Sequence, residues 1–303
     1  MSIPSLSIVI CTYNRDRYLQ QCLEHLNQQT CHPGDFEILV VDNNSTDRTS
    51  LICQDFRTNN SDINFKYLKQ PQQGLSYSRN LGLEKASAPL ISYLDDDAYP
   101  DSHYVQNLCD YFQSHSEVDA IGGKITPAYE KAAPNWMSKY LLPLVAALDM
   151  GRVPVAFKPW KFPIGANMAF RASVLRDIGG FNPQLGRKGD FLGSGEEKDV
   201  FLTLHQSKKI IHYVPAVHVF HTIPNNRLES DYIKKMAIGI GMSEATRLQQ
   251  APWKQRIIKW LQEFFKIGAT IILVLYYTIT FRWPKANMLL KFRIWVLNGF
   301  LKA

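Results

Sequence analysis

Short apolar runs alternate with helix-like segments along the first 125 residues of this chain. Residues 5–11 (SLSIVIC), 36–41 (FEILVV) and 90–94 (LISYL) are apolar runs of strand length, which is typical of buried β-strands. Residues 15–27 instead carry apolar side chains at helical spacing, which is typical of an amphipathic helix. Strands separated by helices predict βαβ units, and hence an α/β fold with a doubly wound, mostly parallel sheet.

The same patterns extend this prediction over most of the chain. We expect further strands at residues 65–68, 120–124, 165–170, 210–214 and 217–220. We expect further helices at residues 46–56, 76–85, 102–115, 137–148, 173–178 and 196–206. Residues 126–163 are otherwise irregular, and two interpretations stay open for them: a segment that covers the substrate, or an excursion of the surface.

Three consecutive carboxylates, Asp95, Asp96 and Asp97, follow the apolar run at 90–94. Acidic side chains at the end of a buried strand are costly unless a cation neutralises them. Clustered carboxylates suit Mg²⁺ or Mn²⁺, and these ions usually also bind substrate phosphates. The triplet therefore predicts a site for a metal ion and a diphosphate. A helix cap would explain the nearby Asp101, but it leaves the triplet unexplained.

Polar residues also follow the two earlier strands. Thr12, Tyr13 and Asn14 come after the first strand, and the turn 42–47 (DNNSTD) comes after the second. Ligands of doubly wound sheets bind beyond the carboxyl ends of the strands, so we expect these groups to share one site with the triplet. The turn CTYNR carries neither a GxGxxG motif nor a Walker A lysine motif, which argues against a dinucleotide-binding protein or a P-loop protein.

A second acidic cluster opens the helix predicted at 196–206, and it consists of Glu196, Glu197 and Asp199. Ser194 and Glu197 have the spacing of a capping box, which would give Glu197 a purely structural role. A cap does not require the other two carboxylates, so a functional role stays open for the cluster. His221 follows the last predicted strand, and this position at a strand end suits a ligand, although single histidines are more often structural.

Charge and cysteine usage bear on the cellular setting. The five cysteines lie within the first 110 residues without CxxC spacing, which favours reduced thiols facing a cytosol over a disulfide framework or a zinc site. Residues 253–303 carry nine Lys or Arg against one acid, Glu263; this tail has a charge of +8 and the rest of the chain −1, out of a total of +7. A nucleic-acid-binding protein would carry its positive charge on the folded body, so a membrane-facing tail explains this distribution better.

The tail combines this charge with apolar residues. Residues 253–265 fit a basic amphipathic helix at a membrane interface, with one apolar face (Ile257, Trp260, Leu261, Phe264, Phe265) and basic residues elsewhere (Lys254, Arg256, Lys259). Residues 264–281 fall just short of the ~20 apolar residues of a membrane span, and the basic residues that follow oppose export. We therefore expect a peripheral or re-entrant tail on the cytoplasmic face of a membrane. A single pass, and helices packed on the enzyme or on a second subunit, remain alternatives.

The ordered motifs of residues 5–250 resemble those of family 2 inverting glycosyltransferases with the GT-A fold. These motifs are SIVICTYNR, VVDNNSTD, GLSYSRNLGL, SYLDDDAYP, GANMAFR, IGGF, GSGEEKD and PAVHVFH. The resemblance implies a catalytic domain over residues 1–250, with a nucleotide-binding half (1–125) and an acceptor-binding half (126–250). The helical, membrane-associating tail would then cover residues 251–303.

The resemblance also implies which residues bind the donor nucleotide. Tyr13 would stack on the base and Asp42 would accept the N3–H of uracil, so the chemistry suits a UDP-sugar or a dTDP-sugar. The implied set of donor-binding residues is Thr12, Tyr13, Asn14, Asp42, Arg79 and Asp95.

The family's DxD motif corresponds to Asp95 and Asp97, with Asp96 at the variable middle position. The resemblance implies that Mn²⁺ or Mg²⁺ is bound by Asp97, His221 and Asp95. The family's catalytic base is a carboxylate of an acidic pair, usually Glu-Asp, where this sequence has two glutamates. The base therefore corresponds to Glu197, with Glu196 as the alternative.

The implied reaction is a metal-assisted single displacement that inverts the anomeric carbon, with a saccharide or a lipid-linked acceptor. Two other functions stay open. A sugar nucleotidyltransferase shares this sheet architecture, but we would expect a glycine-rich basic loop after the first strand. A non-catalytic, membrane-tethered binder of nucleotide sugars would not need both acidic clusters and His221.

Overall fold

The computed structural model describes residues 3–188, 195–249 and 252–302. The strands are β1 (Leu6–Thr12), β2 (Phe36–Asp42), β3 (Asn64–Lys69), β4 (Leu90–Asp95), β5 (Ala98–Pro100), β6 (Ala120–Tyr129), β7 (Val155–Ala156), β8 (Asn167–Arg171) and β9 (Ile211–Ile223). The helices are α1 (Asp16–Asn27), α2 (Thr49–Asn59), α3 (Leu75–Lys85), α4 (Tyr104–Ser114), α5 (Ala172–Asp177), α6 (Glu196–Gln206), α7 (Ser230–Gln249), α8 (Trp253–Ile279) and α9 (Trp283–Lys302). Short 3₁₀ segments lie at Pro33–Asp35, Leu142–Val145 and Asn225–Leu228.

Among the described residues, the strands form one sheet in the order β3-β2-β1-β4-β8-β6-β9-β5, and β7 pairs with β9. The strands β3, β2, β1 and β4 are parallel to one another, as predicted. Beyond β4 the sheet becomes mixed, because β8 is antiparallel to β4 and β6, and β5 and β7 are antiparallel to β9. The predicted α/β class is confirmed, and the four parallel strands all lie within residues 1–125.

Strands β1, β2 and β4 lie in the core, since nearly all of their residues are buried, whereas β3 at the edge of the sheet is only partly buried. All of β2 is buried, and β1 is buried except for the partly exposed Cys11. Such strands read as continuous apolar runs, not as alternating patterns, which is why they were predictable. The register pairs Thr12 with Asp42 and Cys11 with Asp95. Three strands therefore deliver polar residues to the same edge of the sheet.

Two predicted elements differ in the structure. The helix expected at 137–148 is reduced to the 3₁₀ turn Leu142–Val145. Pro143 lies inside that stretch, and its missing N–H prevents regular helical hydrogen bonding. The two strands expected at 210–214 and 217–220 are one continuous strand, β9, which passes through Pro215. The predicted capping box involves Ser194, which lies outside the described residues.

The chain divides into two compact units. The first comprises Met1–Ala128, Ala146–Gln184 and Glu196–Thr222, and it contains all of the predicted site residues. The second comprises Tyr129–Val145, Leu185–Gly195 and Ile223–Ala303.

Within the second unit, α9 packs closely on α7. A Cβ added at Gly241 would overlap the backbone at Val296, and one at Gly299 would overlap the backbone at Ile238. Glycine at these two positions therefore permits the close approach of the helices.

Helix α8 is longer than the amphipathic helix predicted for 253–265, since it continues to Ile279. Its predicted apolar face is exposed, and Phe265 is 77% exposed. Lys259 is not at the surface: it is 5% exposed and pairs with Glu244 at 2.5 Å and Glu263 at 3.2 Å. Lys266 (2.7 Å) and Arg293 (3.1 Å) also bind Glu263, so part of the tail's positive charge is neutralised internally. Among the described residues, no helix combines the length and the apolar character that a membrane crossing requires.

Candidate active site

The acidic triplet lies where β4 ends and β5 begins. Asp95 is the last residue of β4, Asp96 and Asp97 form the turn, and Ala98 starts β5. Because β5 pairs with β9 in the register Ala98 to His221, that histidine comes beside the turn. The Nε2 atom of His221 lies 3.0 Å from Oδ1 of Asp97, and both side chains are buried. The predicted meeting of Asp97 and His221 is therefore present.

Three side chains in this turn region could hold a divalent cation. Asp95, Asp97 and His221 each offer one ligand atom, and these atoms lie within 4.8 Å of one another. Two carboxylates and an imidazole are a suitable donor set for Mn²⁺, and the carboxylates also suit Mg²⁺. Asp97 is 1% exposed and His221 3% exposed, so they form the buried side of the group, whereas Asp95 is more accessible. This set fits the ion that the sequence predicts.

Asp96 is engaged by other partners. Its Oδ2 accepts a hydrogen bond from Thr12 Oγ1 at 2.8 Å, and its Oδ1 lies 3.2 Å from Nε of Arg15. Burial raises the pKa of Asp96 to about 7, although the positive charge of Arg15 opposes this shift. Both oxygens of Asp96 therefore have partners outside the group formed by Asp95, Asp97 and His221. These contacts also occupy the hydroxyl of Thr12, which was predicted to bind the nucleotide.

Arg15 is a site residue that the sequence analysis did not single out. Its Nη2 donates to Oδ2 of Asp97, and its guanidinium lies 4.6 Å from the ring centre of Tyr18. Burial would raise the pKa of Asp97, but His221 and Arg15 hold it well below its usual range. The available signal was the position of Arg15 in CTYNR, directly before α1 and close behind the end of β1.

The loops after β1 and β2 are tied together by hydrogen bonds. Asn14 has a positive φ of 52° and its Oδ1 accepts from the backbone N of Thr46 at 2.7 Å. Asp42 accepts from the backbone N of Ser45 at 2.7 Å and from the hydroxyl of Tyr67 at 2.5 Å. Each carboxylate oxygen has two lone pairs, so Asp42 retains acceptor capacity for a ligand.

Tyr13 directly follows β1, and its side chain is 42% exposed. An exposed aromatic ring beside this edge of the sheet is suitable for stacking on a nucleotide base. Tyr67 is a further residue of this region that the sequence did not indicate. It lies in the strand predicted at 65–68, and a strand pattern does not show that its hydroxyl will contact Asp42 on β2.

Arg79 links the two acidic clusters. Its Nη1 lies 2.8 Å from Oε1 of Glu196, and its Nη2 lies 3.9 Å from Oδ1 of Asp95. The arginine is 3% exposed and Glu196 is 4% exposed. The guanidinium also lies 5.2 Å from the ring centre of Phe181, and a Cβ at Gly165 would overlap Nη2. Arg79 is therefore held in one place, where it neutralises Glu196.

Glu197 has a different environment from Glu196. The residue is partly exposed, but its Oε2 atom is buried and has no hydrogen-bond partner among the described residues. Burial, together with the neighbouring charge of Glu196, raises the pKa of Glu197 to about 8 against the opposing effect of Arg79. Glu196 is thus ion-paired with Arg79, whereas Glu197 has a raised pKa, and a carboxylate with a raised pKa is a stronger base once it is ionised.

Comparison with known proteins identifies the family. Residues 7–179 match the family model described as "Glycosyl transferase family 2". The chain is 25% identical over 231 residues to the glucosyl-dolichyl phosphate glucuronosyltransferase of Haloferax volcanii, an alignment that covers 75% of this chain and 72% of that protein.

Solved structures of similar fold include two enzymes with bound donors. The mannosyltransferase PcManGT of Pyrobaculum calidifontis, in complex with GDP-Man and Mn²⁺, gives a TM-score of 0.63 at 16% identity over 96% of this chain and 75% of that chain. Residues 1–349 of S. aureus TarS, in complex with UDP-GlcNAc, give a TM-score of 0.58 at 16% identity over 98% and 91%. The predicted GT-A fold is confirmed by these neighbours. The chain belongs to glycosyl transferase family 2, and it is a glycosyltransferase with the GT-A fold.

Proposed function

We propose that the protein transfers a sugar from a nucleoside-diphosphate donor, a UDP- or dTDP-sugar, to a saccharide or lipid-linked acceptor with inversion at the anomeric carbon. The observation that carries this proposal is the junction made by Arg79, which brings the acidic pair on α6 to the carboxyl end of β4. A donor diphosphate at the triplet and an acceptor hydroxyl at the pair would then share one site.

Three residues would hold the divalent ion: Asp97 and His221 from the buried side, and Asp95 from the more accessible side. When bound, the ion supplies positive charge that stabilises the leaving diphosphate. The PcManGT structure contains Mn²⁺, which supports this assignment through the fold.

The catalytic base in this proposal is Glu197. The acceptor hydroxyl oxygen forms a bond to the anomeric carbon while the bond from that carbon to the diphosphate oxygen breaks. The hydroxyl proton passes to Oε2 of Glu197, and the nucleoside diphosphate leaves with the bonding electron pair. Glu196 is the less suitable base, because its Oε1 is ion-paired with Arg79 and a paired anion is a weaker proton acceptor.

Tyr13 and Asp42 would bind the uracil or thymine ring of the donor nucleotide. Tyr13 is exposed for stacking, and Asp42 keeps lone pairs beside the bonds it already makes. Asn14 would support this site indirectly, because its side chain accepts a hydrogen bond from the backbone N of Thr46 and so connects the two loops. Thr12 would also act indirectly, because its hydroxyl donates a hydrogen bond to Asp96. The fold neighbours carry UDP-GlcNAc in one case and GDP-Man in the other, so the uridine or thymidine preference rests on Asp42.

A sugar nucleotidyltransferase and a non-catalytic binder of nucleotide sugars fit the site less well than a glycosyltransferase. The family match extends over residues 7–179, and the ion-pair junction and the acidic pair described above suit glycosyl transfer.

The proposal extends to the membrane. Helix α8 exposes apolar side chains along its length, and the exposed set is Trp253, Ile257, Ile258, Trp260, Leu261, Phe264, Phe265, Ile271, Ile272, Leu275, Tyr276 and Ile279. Lys254 and Arg256 lie on the same helix in its first turn. An apolar helix surface flanked by basic residues suits the cytoplasmic face of a membrane with anionic lipids. The similarity to an enzyme named for a dolichyl phosphate substrate supports a lipid-linked acceptor.

The experiment that tests the catalytic proposal is a screen of the purified protein against nucleotide sugars with Mn²⁺, read by thermal shift and by donor hydrolysis. We expect a UDP- or dTDP-sugar to raise the melting temperature and to be hydrolysed slowly. In Glu197→Gln, donor binding should persist while hydrolysis and transfer are lost by roughly 10²–10⁴-fold. Wild-type turnover in this variant would move the base to another residue, and a response to GDP-sugars alone would overturn the uridine or thymidine assignment.

The membrane proposal has a separate test. The full chain should co-sediment with vesicles that contain anionic lipid, and Phe265→Ser should weaken this binding. Leu51→Ser is the matched control, because Leu51 is also an exposed apolar helix residue but lies on α2. Equal binding of the wild type and Phe265→Ser would contradict the assignment of α8 to the membrane.

A further inference from the structure

Arg15 is fixed between two carboxylates of the acidic triplet. Its Nε lies 3.2 Å from Oδ1 of Asp96, and its Nη2 donates to Oδ2 of Asp97. The ring of Tyr18 covers the guanidinium at 4.6 Å. The arginine side chain is 20% exposed, whereas its two acidic partners are 5% and 1% exposed. The guanidinium therefore lies at the boundary between solvent and a buried pair of negative charges.

These contacts divide the two oxygens of Asp97. Oδ2 is taken by Arg15, and Oδ1 faces Nε2 of His221 at 3.0 Å. A carboxylate held at one oxygen by a charged donor presents its other oxygen in one direction. In this site that direction is toward His221, which is also a member of the group able to hold a cation.

The same guanidinium keeps Asp96 out of the ligand group. One oxygen of Asp96 forms an ion pair with Nε of Arg15 at 3.2 Å, and the other accepts a hydrogen bond from Thr12 at 2.8 Å. With both oxygens engaged, this carboxylate would have to break a contact before it could bind a cation.

We propose that Arg15 is a positioning residue for the metal site: it orients Asp97 toward the ion and holds Asp96 outside the coordination sphere. This inference rests on the proposed metal-binding role of Asp95, Asp97 and His221. Groups that orient metal ligands commonly change metal affinity by about 10–100-fold when they are removed.

A simple electrostatic role for Arg15 would have the opposite effect. If the guanidinium only neutralised the triplet, its removal would leave more negative charge and would strengthen the binding of a divalent cation. The sign of the change in metal affinity therefore distinguishes orientation from neutralisation. Lysine separates the two roles again, because it keeps the charge but lacks the planar fork that bridges two carboxylates.

The test is a calorimetric titration of the full chain with Mn²⁺ in the absence of any donor. We expect Arg15→Gln to bind Mn²⁺ about 10–100-fold more weakly than the wild type, and Arg15→Lys to recover little of this loss. Arg17→Gln is the matched control: it makes the same change of charge on the exposed side of α1 and should leave the affinity unchanged. Tighter binding by Arg15→Gln, or wild-type affinity in Arg15→Lys, would overturn the proposal.

A charge-compensated variant controls for loss of binding that is caused by unfolding. The double variant Arg15→Gln with Asp96→Asn has the same formal charge at the turn as the wild type, and its melting curve serves as the check of folding. If Arg15 orients Asp97, this variant still binds Mn²⁺ weakly; wild-type affinity in the double variant would refute the orientation of Asp97 by Arg15.

Asp97→Asn distinguishes failure of this inference from failure of the metal assignment. If Mn²⁺ binding is equal in the wild type and in Asp97→Asn, the proposed metal site itself is wrong. If Asp97→Asn loses binding but Arg15→Gln does not, the metal site stands and only the positioning role of Arg15 is refuted.

Discussion

The raised pKa of Glu197 predicts how the free energy of unfolding changes with pH. Burial raises its pKa from 4.5 to about 8, with a further contribution from Glu196 and an opposing one from Arg79. Between pH 4.5 and about pH 8, Glu197 keeps its proton in the folded state but loses it in the unfolded chain. The free energy of unfolding should therefore decrease as the pH rises from about 4.5 to about 8, and the loss is complete above the folded pKa.

The structure bounds the size of this effect. At about 1.4 kcal/mol per pKa unit, the shift corresponds to at most about 5 kcal/mol. The side chain of Glu197 retains some contact with solvent, and screening makes the expected effect smaller than this limit. Glu197→Gln removes the titration and keeps the shape of the neutral acid. The variant should match the wild type in stability near pH 4.5 and should become more stable than it by up to a few kcal/mol at pH 9.

Urea unfolding of both proteins at pH 5, 7 and 9 measures this difference directly. Glu84→Gln serves as the control, because Glu84 is 66% exposed and its replacement should give a small difference that does not vary with pH. The same titration should appear in catalysis: kcat/KM for transfer should rise about tenfold per pH unit below about pH 8 and then level off. A stability difference between Glu197→Gln and the wild type that is constant from pH 5 to 9 would refute the argument.

Two further predictions follow from buried contacts, and one from the tail. Gly165→Ala places a methyl group against Arg79 and should cost about 1–3 kcal/mol of stability together with weaker transfer. Gly268→Ala, in open space in the middle of α8, should instead stabilise the protein by about 0.5–1 kcal/mol in urea unfolding. Glu263→Gln leaves three cations without their shared carboxylate and should lower the free energy of unfolding by about 3–5 kcal/mol, a loss that Glu263→Asp should partly avoid. Mn²⁺-dependent binding of UDP should disappear in Asp97→Asn when it is followed by calorimetry, and binding equal to that of the wild type would exclude Asp97 as a ligand.

Much of the parallel half of the sheet was predictable because local patterns specify it. The strands at Leu6–Thr12, Phe36–Asp42 and Leu90–Asp95 are mostly apolar, as is typical of strands buried on both faces. Parallel strands deliver their carboxyl ends to one edge, so the association of Thr12, Asp42 and Asp95 was implied by chain order alone. The helix Glu196–Gln206 was predicted with its exact bounds, because its acidic first turn and apolar spacing agree.

Predictions were weaker where the outcome depends on distant partners. The segment 137–148 has helical spacing, but Pro143 limits it to a single turn. Strand β9 was predicted as two strands because Pro215 interrupts the apolar pattern, yet pairing with β5 and β7 keeps it extended. Antiparallel partners could not be assigned, since the composition of a strand does not encode the direction of its neighbour.

The sequence by itself determined the residue types of the site: a triplet of carboxylates at a strand end, an acidic pair opening a helix, and a histidine closing a strand. Only the tertiary structure decided their partners. The register of β5 on β9 brings His221 to Asp97, and the path of Arg79 past Gly165 gives Glu196 an ion pair, while burial raises the pKa of Glu197. Proton affinity depends on burial and on charges within a few ångströms, and those distances arise from packing between residues far apart in the chain.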